Sequence, residues 1–295
     1  MSMSHQYAVR GIDHLVVASR DLDGLAAFYR ALGFTVGPRN RHPWGTANHI
    51  IQFNGVFIEL IGVEDASAIP AHTADTFSFG AFVRDFIDTG DGLAMLALAS
   101  GNAVADAETF RKARIGAFEP FFFERKGVAG DGSAITVSFT LAFAQMQNAP
   151  RVGFFTCQQH QPHHFWNAAL QQHPCGAFGL ANVVLVAEDP SDTHEFLGAF
   201  TGQREMRATS YGLEIDTPRG RITVLSPLAF RHRYGCEAPR SGQSMTVFAG
   251  VDVKVASLAM TRTRLDELSV VYHTVADRLV IAPDHAYGVA LTFSE

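Results

Sequence analysis

The chain has 295 residues, 47% of them hydrophobic and 18% charged, which is typical of a folded protein with a large core and excludes a disordered one. The formal net charge is −6, so we expect neither nucleic acid nor a membrane surface as a partner. Three widely spaced cysteines without a CxxC pair argue against a disulfide framework. The sequence shows neither a signal segment nor an apolar run of about 18 residues, so we expect a cytoplasmic protein.

The first predicted element is a short buried strand in the stretch GIDHLVVAS, residues 11–19. Two polar residues, Asp13 and His14, lie side by side within it, and the alternation of side chains along a strand places them on opposite faces of the sheet. The next segment, DLDGLAAFYRALG (21–33), has apolar residues three and four apart, which predicts an amphipathic helix that ends at Gly33.

A β-hairpin is predicted in ANHIIQFNGVFIELIG, residues 47–62, where Asn54-Gly55 indicates a two-residue turn of type I′. This turn sets the register, because Phe53 then pairs with Val56 and every other pair follows from it. One face of the hairpin is almost wholly apolar and suits a covering helix. The other face is mixed and must look at water or into a cavity; it carries Asn48, Ile50, Gln52, Phe57, Glu59 and Ile61.

The resulting unit of one strand, one helix and three strands recurs along the chain. A second copy is predicted from residues 92 to 159, a third from 179 to 227 and a fourth from 251 to 294. The stretch 162–176 lies midway between the pairs of copies and reads as a linker. Four copies of one supersecondary unit account for the length of the chain.

Several motifs of the first copy carry a resemblance to a known family: IDHLVVAS (12–19), AFYRALGF (27–34) and NGVFIEL (54–60). They resemble the vicinal oxygen chelate superfamily, which includes glyoxalase I, extradiol dioxygenases and the fosfomycin and bleomycin resistance proteins. Within it, GTAN (45–48), FTCQ (155–158) and Phe165-Trp166 are similar to the glyoxalase-like domain group. The other three copies are recognised mainly by their layout.

The resemblance implies an α+β fold in which four βαβββ modules pair into two cup-shaped sheets. The corresponding domains are residues 8–161 and 177–295, separated by the linker 162–176. The first domain is then glyoxalase-like and the second a degenerate copy. Modules one and two are the expected first pair, and pairing of modules one and four is the alternative.

The resemblance also implies a divalent metal ion (Fe, Mn, Ni, Co or Zn) in the cup, with ligands from the first and last strands of the modules. His14 and Glu59 occupy those positions in the first module, and Glu59 could also be the catalytic base. The matching positions of the other modules hold residues that are not usual ligands: Met95, Cys157, Asn182, Val224, Asp252 or Val253, and Thr292. A third ligand is therefore missing, and His160, from the cluster HQPHH (160–164), is the candidate that the sequence offers.

Substrate contacts are expected from two places. The loop RNRHPWG (39–45) would lie at the mouth of the cup, where Arg41 and Trp44 could clamp an anionic or aromatic group. Asn48, Gln52 and Phe57 share the face of Glu59 and could orient the ligand.

Two functions follow from these features. The first is a metal-dependent lyase, isomerase or dioxygenase that acts on a small oxygenated organic molecule. The alternative is a non-catalytic protein that sequesters a small molecule, as bleomycin resistance proteins do. A third idea, that the modules also support a homodimer, is compatible with either.

Overall fold

The structure is a computed structural model that describes residues 9–128, 134–147, 149–239 and 246–295. The predicted domain boundary at residue 8 lies outside the described residues. Within them, the chain forms two eight-stranded mixed sheets with helices packed on them. This arrangement confirms the predicted α+β class with two paired-module sheets.

The first sheet and its helices span residues 12–159. Its strands are β1 (Ile12–Ala18), β2 (Asn40–Arg41), β3 (Thr46–Gln52), β4 (Phe57–Val63), β5 (Gly92–Ala99), β6 (Phe121–Val128), β7 (Ala134–Ala144) and β8 (Gly153–Gln159). Its helices are α1 (Leu22–Ala31), α2 (Phe79–Ile87) and α3 (Ala103–Lys112). The segment that follows contains the short helix α4 (Pro162–Phe165) and a 3₁₀ turn at Ala168–Gln171.

The second sheet and its helices span residues 177–294. Its strands are β9 (Ala177–Val186), β10 (Arg207–Thr209), β11 (Gly212–Asp216), β12 (Arg221–Leu225), β13 (Val247–Val255), β14 (His273–Val275), β15 (Arg278–Ile281) and β16 (Ala290–Ser294). Its helices are α5 (His194–Thr201), α6 (Pro227–Tyr234) and α7 (Leu258–Glu267). No helix of the described residues is both long and apolar enough to cross a bilayer.

Strand order shows which modules pair. The first sheet has the order β2-β3-β4-β1-β5-β8-β7-β6, and the second repeats it as β10-β11-β12-β9-β13-β16-β15-β14. Within each module the first strand runs parallel to the last, and the two modules of a sheet meet through their first strands, which are antiparallel. Modules one and two therefore share a sheet, and the alternative pairing of modules one and four is wrong.

The hairpin of β3 and β4 has the predicted register. Ile50 pairs with Glu59 and Gln52 with Phe57, while the backbone N–H of Phe53 donates to the carbonyl of Val56 at 2.8 Å. The predicted turn type is wrong, because Gly55 has a φ of +77° whereas Asn54 does not have a positive φ. That combination fits a type II turn rather than type I′, which needs a positive φ at both positions.

An irregularity in β1 overturns the prediction that Asp13 and His14 face opposite sides. The pairing of β1 with β5 shifts register between Ile12 and His14, as at a β-bulge, so Asp13 is the extra residue. Its carboxylate Oδ1 lies 2.6 Å from His14 Nδ1, and the Asp13, His14 and Cys157 donor atoms all lie within 4.8 Å of one another. The bulge thus turns two consecutive side chains to the same side.

One hydrophobic core joins the two sheets through their helix-covered faces. On the first sheet, Ile58 and Leu60 pack with helix α1, as the hairpin pattern predicts. Phe154 of β8 contacts rings from the second half, with centroids 4.8 Å from Phe196 and 5.4 Å from Phe248. Since the helix-covered faces meet in this core, the opposite face of each sheet is left for a cup.

The hairpin turn provides a test of local backbone preference. We expect Gly55→Ala to lower the free energy of unfolding by about 1–2 kcal/mol, because an L-residue is strained at a positive φ. A Cβ at Gly55 meets only Arg219 Cδ at 3.6 Å, so the effect would come from the backbone and not from a clash.

Gly101→Ala is the matched control, since Gly101 does not have a positive φ and an added Cβ meets nothing within 4 Å. Denaturant unfolding of both variants measures the effect. Equal stabilities for the two variants would contradict the argument.

Candidate functional site

The mixed face of the β3–β4 hairpin encloses a cavity together with β1, β6, β7 and β8. Its volume is about 50 Å³, and a water molecule needs roughly 10–15 Å³ by the same measure. The cavity therefore has room for an ion and a few waters, while a larger ligand requires side chains to move. Its walls are mainly aromatic: Trp44, Phe57, Phe79, Phe123, Phe139, Phe155 and Phe165.

His14 lies buried at this cavity and is held on two sides. Asp13 Oδ1 is 2.6 Å from its Nδ1, and the ring of Phe57 stacks on it with centroids 4.2 Å apart. The other oxygen of Asp13 accepts a hydrogen bond of 3.0 Å from Gln159 Nε2. In the neutral tautomer that donates from Nδ1 to Asp13, Nε2 presents its lone pair to the cavity.

Glu59 is held in a complementary way. Its Oε1 accepts a hydrogen bond from Asn48 Nδ2, and Asn48 is itself positioned by a bond of 3.0 Å from Asn40 Nδ2 to its Oδ1. Its Oε2 lies 3.9 Å from His14 Nε2. Two atoms that both carry lone pairs thus face each other in a buried site, an arrangement that a cation or a proton between them would stabilise.

The geometry fits a metal ion at this place. Two ligand atoms at about 2.0–2.2 Å from one ion are at most about 4.4 Å apart, and the separation of His14 Nε2 and Glu59 Oε2 is within that limit. A carboxylate on the other imidazole nitrogen, as Asp13 provides, is the usual partner of a metal-bound histidine. Trp44 Nε1 is also buried without a hydrogen-bond partner among the described residues, so a donor remains free in the cavity wall.

Cys157 brings a sulfur atom to the same place. It is fully buried, and burial, followed by the nearby carboxylates of Asp13 and Glu59, raises the pKa of its thiol well above the ordinary value. The sulfur therefore keeps its proton at neutral pH unless a cation replaces it. Its sulfur lies within 4.8 Å of ligand atoms of Asp13 and His14, and an imidazole, a carboxylate and a thiolate form a donor set that suits a divalent transition metal.

A neutral histidine borders the site on the hairpin side. Burial lowers the pKa of His42 to about 4. Nearby Glu59 acts to raise this pKa, and nearby Arg125 acts to lower it further. The His42 ring stacks on Trp44 with centroids 4.6 Å apart. Its Nδ1 is 2.8 Å from Thr46 Oγ1, and Asn48 Nδ2 approaches its Nε2 at 3.3 Å.

The sequence-predicted site residues are only partly brought together. Trp44, Asn48 and Phe57 line the cavity with His14 and Glu59.

The remaining three predicted residues have other partners. Gln52 uses its amide on the linker, donating to the carbonyl of Phe165 at 2.8 Å and accepting from the backbone N–H of Asn167 at 2.9 Å. Arg41 points outward, with a side chain 77% exposed and paired with Glu64. His160, the expected third ligand, is exposed and its Nε2 bonds Thr140 Oγ1 at 2.8 Å, so the structure does not place it with His14 and Glu59.

Sequence reasoning missed four residues of the site. Asp13 was assigned to the wrong side because a bulge cannot be read from alternation, and Cys157 was recognised at a matching strand position but was not counted as a ligand. His42 was seen only as part of a loop. Arg125 lies on β6, a strand that the predicted second module omitted.

Family comparison agrees with the fold. The model of a family described as glyoxalase-like domain matches residues 12–201, nearly two thirds of the chain. The chain belongs to this glyoxalase-like family. No curated protein sequence matches it.

Solved structures extend the likeness to the whole fold of this glyoxalase-like protein. A hypothetical protein from Staphylococcus aureus superposes with a TM-score of 0.66 at 12% identity, over 97% of this chain and 99% of the other. A mutant of 4-hydroxymandelate synthase from Streptomyces coelicolor gives 0.60 at 9% identity, covering 97% and 92%. A xylose isomerase-like TIM barrel/4-hydroxyphenylpyruvate dioxygenase fusion protein gives 0.55 at 11%, covering 97% and 49%. The match of the family model confirms the predicted resemblance to the glyoxalase-like domain group, and these likenesses show the fold.

The second cup of the glyoxalase-like chain is packed differently. Helix α6 lies on its concave face, where Phe230 and Tyr234 pack with Val184 of β9. The hydroxyl of Tyr234 donates to buried Asp252 at 3.0 Å, and Asn182 Nδ2 also donates to that carboxylate at 3.2 Å. Protein groups thus take the place that a ligand would need.

In this second half, the predicted alignment of Val224 is wrong, and the choice between Asp252 and Val253 is resolved. Thr223, and not Val224, pairs with β9 as Glu59 pairs with β1, and its hydroxyl donates to buried Asn182. Asp252, and not Val253, faces the cup, since Val253 belongs to the core beneath the helices.

The lowered pKa of His42 predicts a pH dependence of stability. The unfolded chain binds a proton near the ordinary pKa of 6.5, but the folded protein binds it only near about 4. Stability is therefore lost as the pH falls from about 6.5 towards 4. In His42→Asn, which cannot titrate, we expect the loss between pH about 7.5 and about 4.5 to be smaller by roughly 2–3 kcal/mol.

Denaturant unfolding at the two pH values measures this difference. His285→Asn, at an exposed position of the second half, is the control and should keep the wild-type dependence. An unchanged pH dependence in His42→Asn would show that this imidazole is not held neutral.

Proposed function

We propose that this glyoxalase-like protein is a metal-dependent enzyme that acts on a small oxygenated organic molecule in the first cup. The observation that carries the proposal is the pair of free ligand atoms, His14 Nε2 and Glu59 Oε2, facing each other across 3.9 Å. Every other polar atom of these two side chains already has a protein partner.

The charge balance of the site supports a cation. Asp13 and Glu59 are 3% and 7% exposed, and within the described part of the chain neither forms an ion pair with a lysine or an arginine. Arg125 is near enough to interact electrostatically with Glu59, but buried carboxylates that lack a direct ionic contact with a cation are still costly. A divalent ion next to His14 would compensate both charges.

Each residue then has a definite role. His14 and Glu59 would hold the ion, with Asp13 orienting the imidazole through Nδ1. Glu59 could instead act as a base, because Asn48 binds only one of its oxygens. A bound divalent ion would supply Lewis-acid stabilisation of substrate oxygens, which suits lyase, isomerase or dioxygenase chemistry.

The aromatic walls have a complementary effect. The rings around the cavity make its surroundings largely apolar, so charges in it interact more strongly than at the surface. They also favour a substrate with an apolar or aromatic body.

A non-catalytic binding protein of the resistance type is the second candidate. It is favoured by one observation: among the described residues, the three possible metal ligands that lie close together are Asp13, His14 and Cys157, and Glu59 is not one of them. Such a protein would use the aromatic walls to bind an apolar compound without a metal. Metal content therefore separates the two candidates.

Metal analysis of two variants tests the enzyme proposal. After reconstitution with Fe, Mn, Ni, Co or Zn, we expect wild-type protein to retain one ion per chain with at least one of them, and His14→Ala and Glu59→Gln to retain none. Each substitution removes one of the two facing ligand atoms. Elemental analysis after gel filtration measures the content, and circular dichroism checks the fold.

His285→Ala, a substitution at an exposed histidine, serves as the control and should retain the ion. Full metal content in both site variants would exclude the proposed position. No uptake of any of these metals by the wild-type protein would favour the binding-protein alternative.

A second set of variants tests how the ion is surrounded. Asp13→Asn should weaken metal affinity by about 10–100-fold without abolishing it, because Asp13 would orient a ligand and not be one. His160→Ala should bind metal as the wild type does, since its imidazole bonds Thr140 outside the cavity. Metal titration in a competing chelator gives the affinities.

Cys157→Ser completes this set. Complete loss of uptake in this variant, or in Asp13→Asn, would assign that residue as a direct ligand. Loss in His160→Ala would contradict the placement of that residue.

A further inference from the structure

A larger groove adjoins the first-cup cavity. Three residues, Ile50, Arg125 and Phe165, belong to the walls of both spaces and form the boundary between them. The groove runs between the β3 hairpin, the β6–β7 hairpin and the linker segment after β8, and its volume is about 640 Å³. That volume is within the range of roughly 300–1,000 Å³ found for small-molecule sites.

The charge of this groove is opposite to that of the whole chain. Arg125 and Lys126 line it together with His163 and His164, and no aspartate or glutamate is among its described lining residues. The chain as a whole has a net charge of −6. A concave surface with one sign of charge attracts ligands of the other sign.

Arg125 is the half-buried cation of the groove, whereas Lys126 is exposed. Its side chain makes no ion pair or hydrogen bond within the described part of the chain, and burial lowers the pKa of its guanidinium while nearby Glu59 raises it. The arginines that sequence had placed at the mouth differ from it. Arg39 binds Asp23 at 2.8 Å and Arg41 pairs with Glu64, so their charges are already neutralised.

The rest of the groove is largely apolar. Ile135 and Val137 line one side, and Phe165, Trp166 and Leu170 line the linker side. The Phe165 and Trp166 rings pack edge to face with centroids 5.0 Å apart. These walls suit the flat body of an aromatic molecule.

We propose that this groove is the substrate-recognition site and that it binds small aromatic anions, with a carboxylate or phosphate group on Arg125 and the ring against Phe165 and Trp166. A guanidinium matches either anion with two parallel hydrogen bonds. Because Arg125 also borders the inner cavity, a ligand held there lies next to Glu59 and His14. The inference deepens the proposed function and rests on it in one respect, that the bound molecule is the substrate of an enzyme. Binding itself needs no metal.

Calorimetric binding to the metal-free full-length chain tests the inference. The probes are phenylacetate and phenyl phosphate as anions, and phenylacetamide as a neutral molecule of similar shape. We expect the wild type to bind at least one anion about ten-fold or more tightly than the amide, because a hydrogen bond to a charged group is worth this much. The better of the two anions identifies the group that Arg125 recognises.

Two substitutions assign the preference to the guanidinium. Arg125→Gln should bind anion and amide equally, and Arg125→Lys should keep part of the preference because the charge remains. Arg84→Gln is the matched control and should behave as the wild type, since Arg84 lies on α2 paired with the adjacent Asp85, outside the groove. Thermal unfolding of each variant reports its folding.

Comparing the affinities of the wild-type protein for anions and amide tests the inference even if a variant fails to fold. The inference would be overturned by equal affinities of the wild type for anions and amide, by no binding of any probe, or by an undiminished preference for the anion in folded Arg125→Gln. Metal content, measured as above, is the separate test of the proposed enzyme. A protein that binds metal but not anions would therefore refute this inference alone.

Discussion

The first cup depends on the burial of two carboxylates on either side of one imidazole. Asp13 and Glu59 are nearly inaccessible to water, and His14 lies between them. Gln159 donates a hydrogen bond to one oxygen of Asp13, and Asn48 donates one to an oxygen of Glu59. The facing atoms His14 Nε2 and Glu59 Oε2 are left without a hydrogen-bond partner among the described residues. The requirement for positive charge between these two atoms is why a cation site is the simplest account of the residues around them.

Repetition of the same module explains how such a site arises in one half of the chain and not in the other. Both sheets have the same strand order, and both hold a buried polar pair: His14 with Glu59 in the first sheet, and Asn182 with Asp252, where the first strands of two modules meet, in the second. In the second sheet, helix α6 supplies the hydroxyl of Tyr234 to Asp252, so its buried carboxylate is satisfied by the protein. The first sheet has aromatic side chains around its polar pair, and a cavity remains.

The linker segment would belong to the proposed recognition surface as well as to the connection between halves. Gln52 of the hairpin binds the backbone at Phe165 and Asn167, which holds the segment over the edge of the cup. Phe165 thereby separates the inner cavity from the basic groove that contains Arg125. Gln52, which the sequence predicts to contact substrate directly, would thus act by positioning Phe165, which lines both spaces.

The sequence by itself determined the features that depend on neighbouring residues. The Asn54-Gly55 turn set the register of the hairpin, which placed Glu59 and Asn48 on one face, and the recurring pattern predicted paired modules. Only the tertiary structure decided which modules pair, that Asp13 turns towards His14, and that Arg125 lines a cavity while Arg41 is exposed and paired with Glu64. Bulges, pairing between distant strands and neutralisation of surface charges result from contacts between residues far apart in the chain, and no local pattern of side chains encodes them.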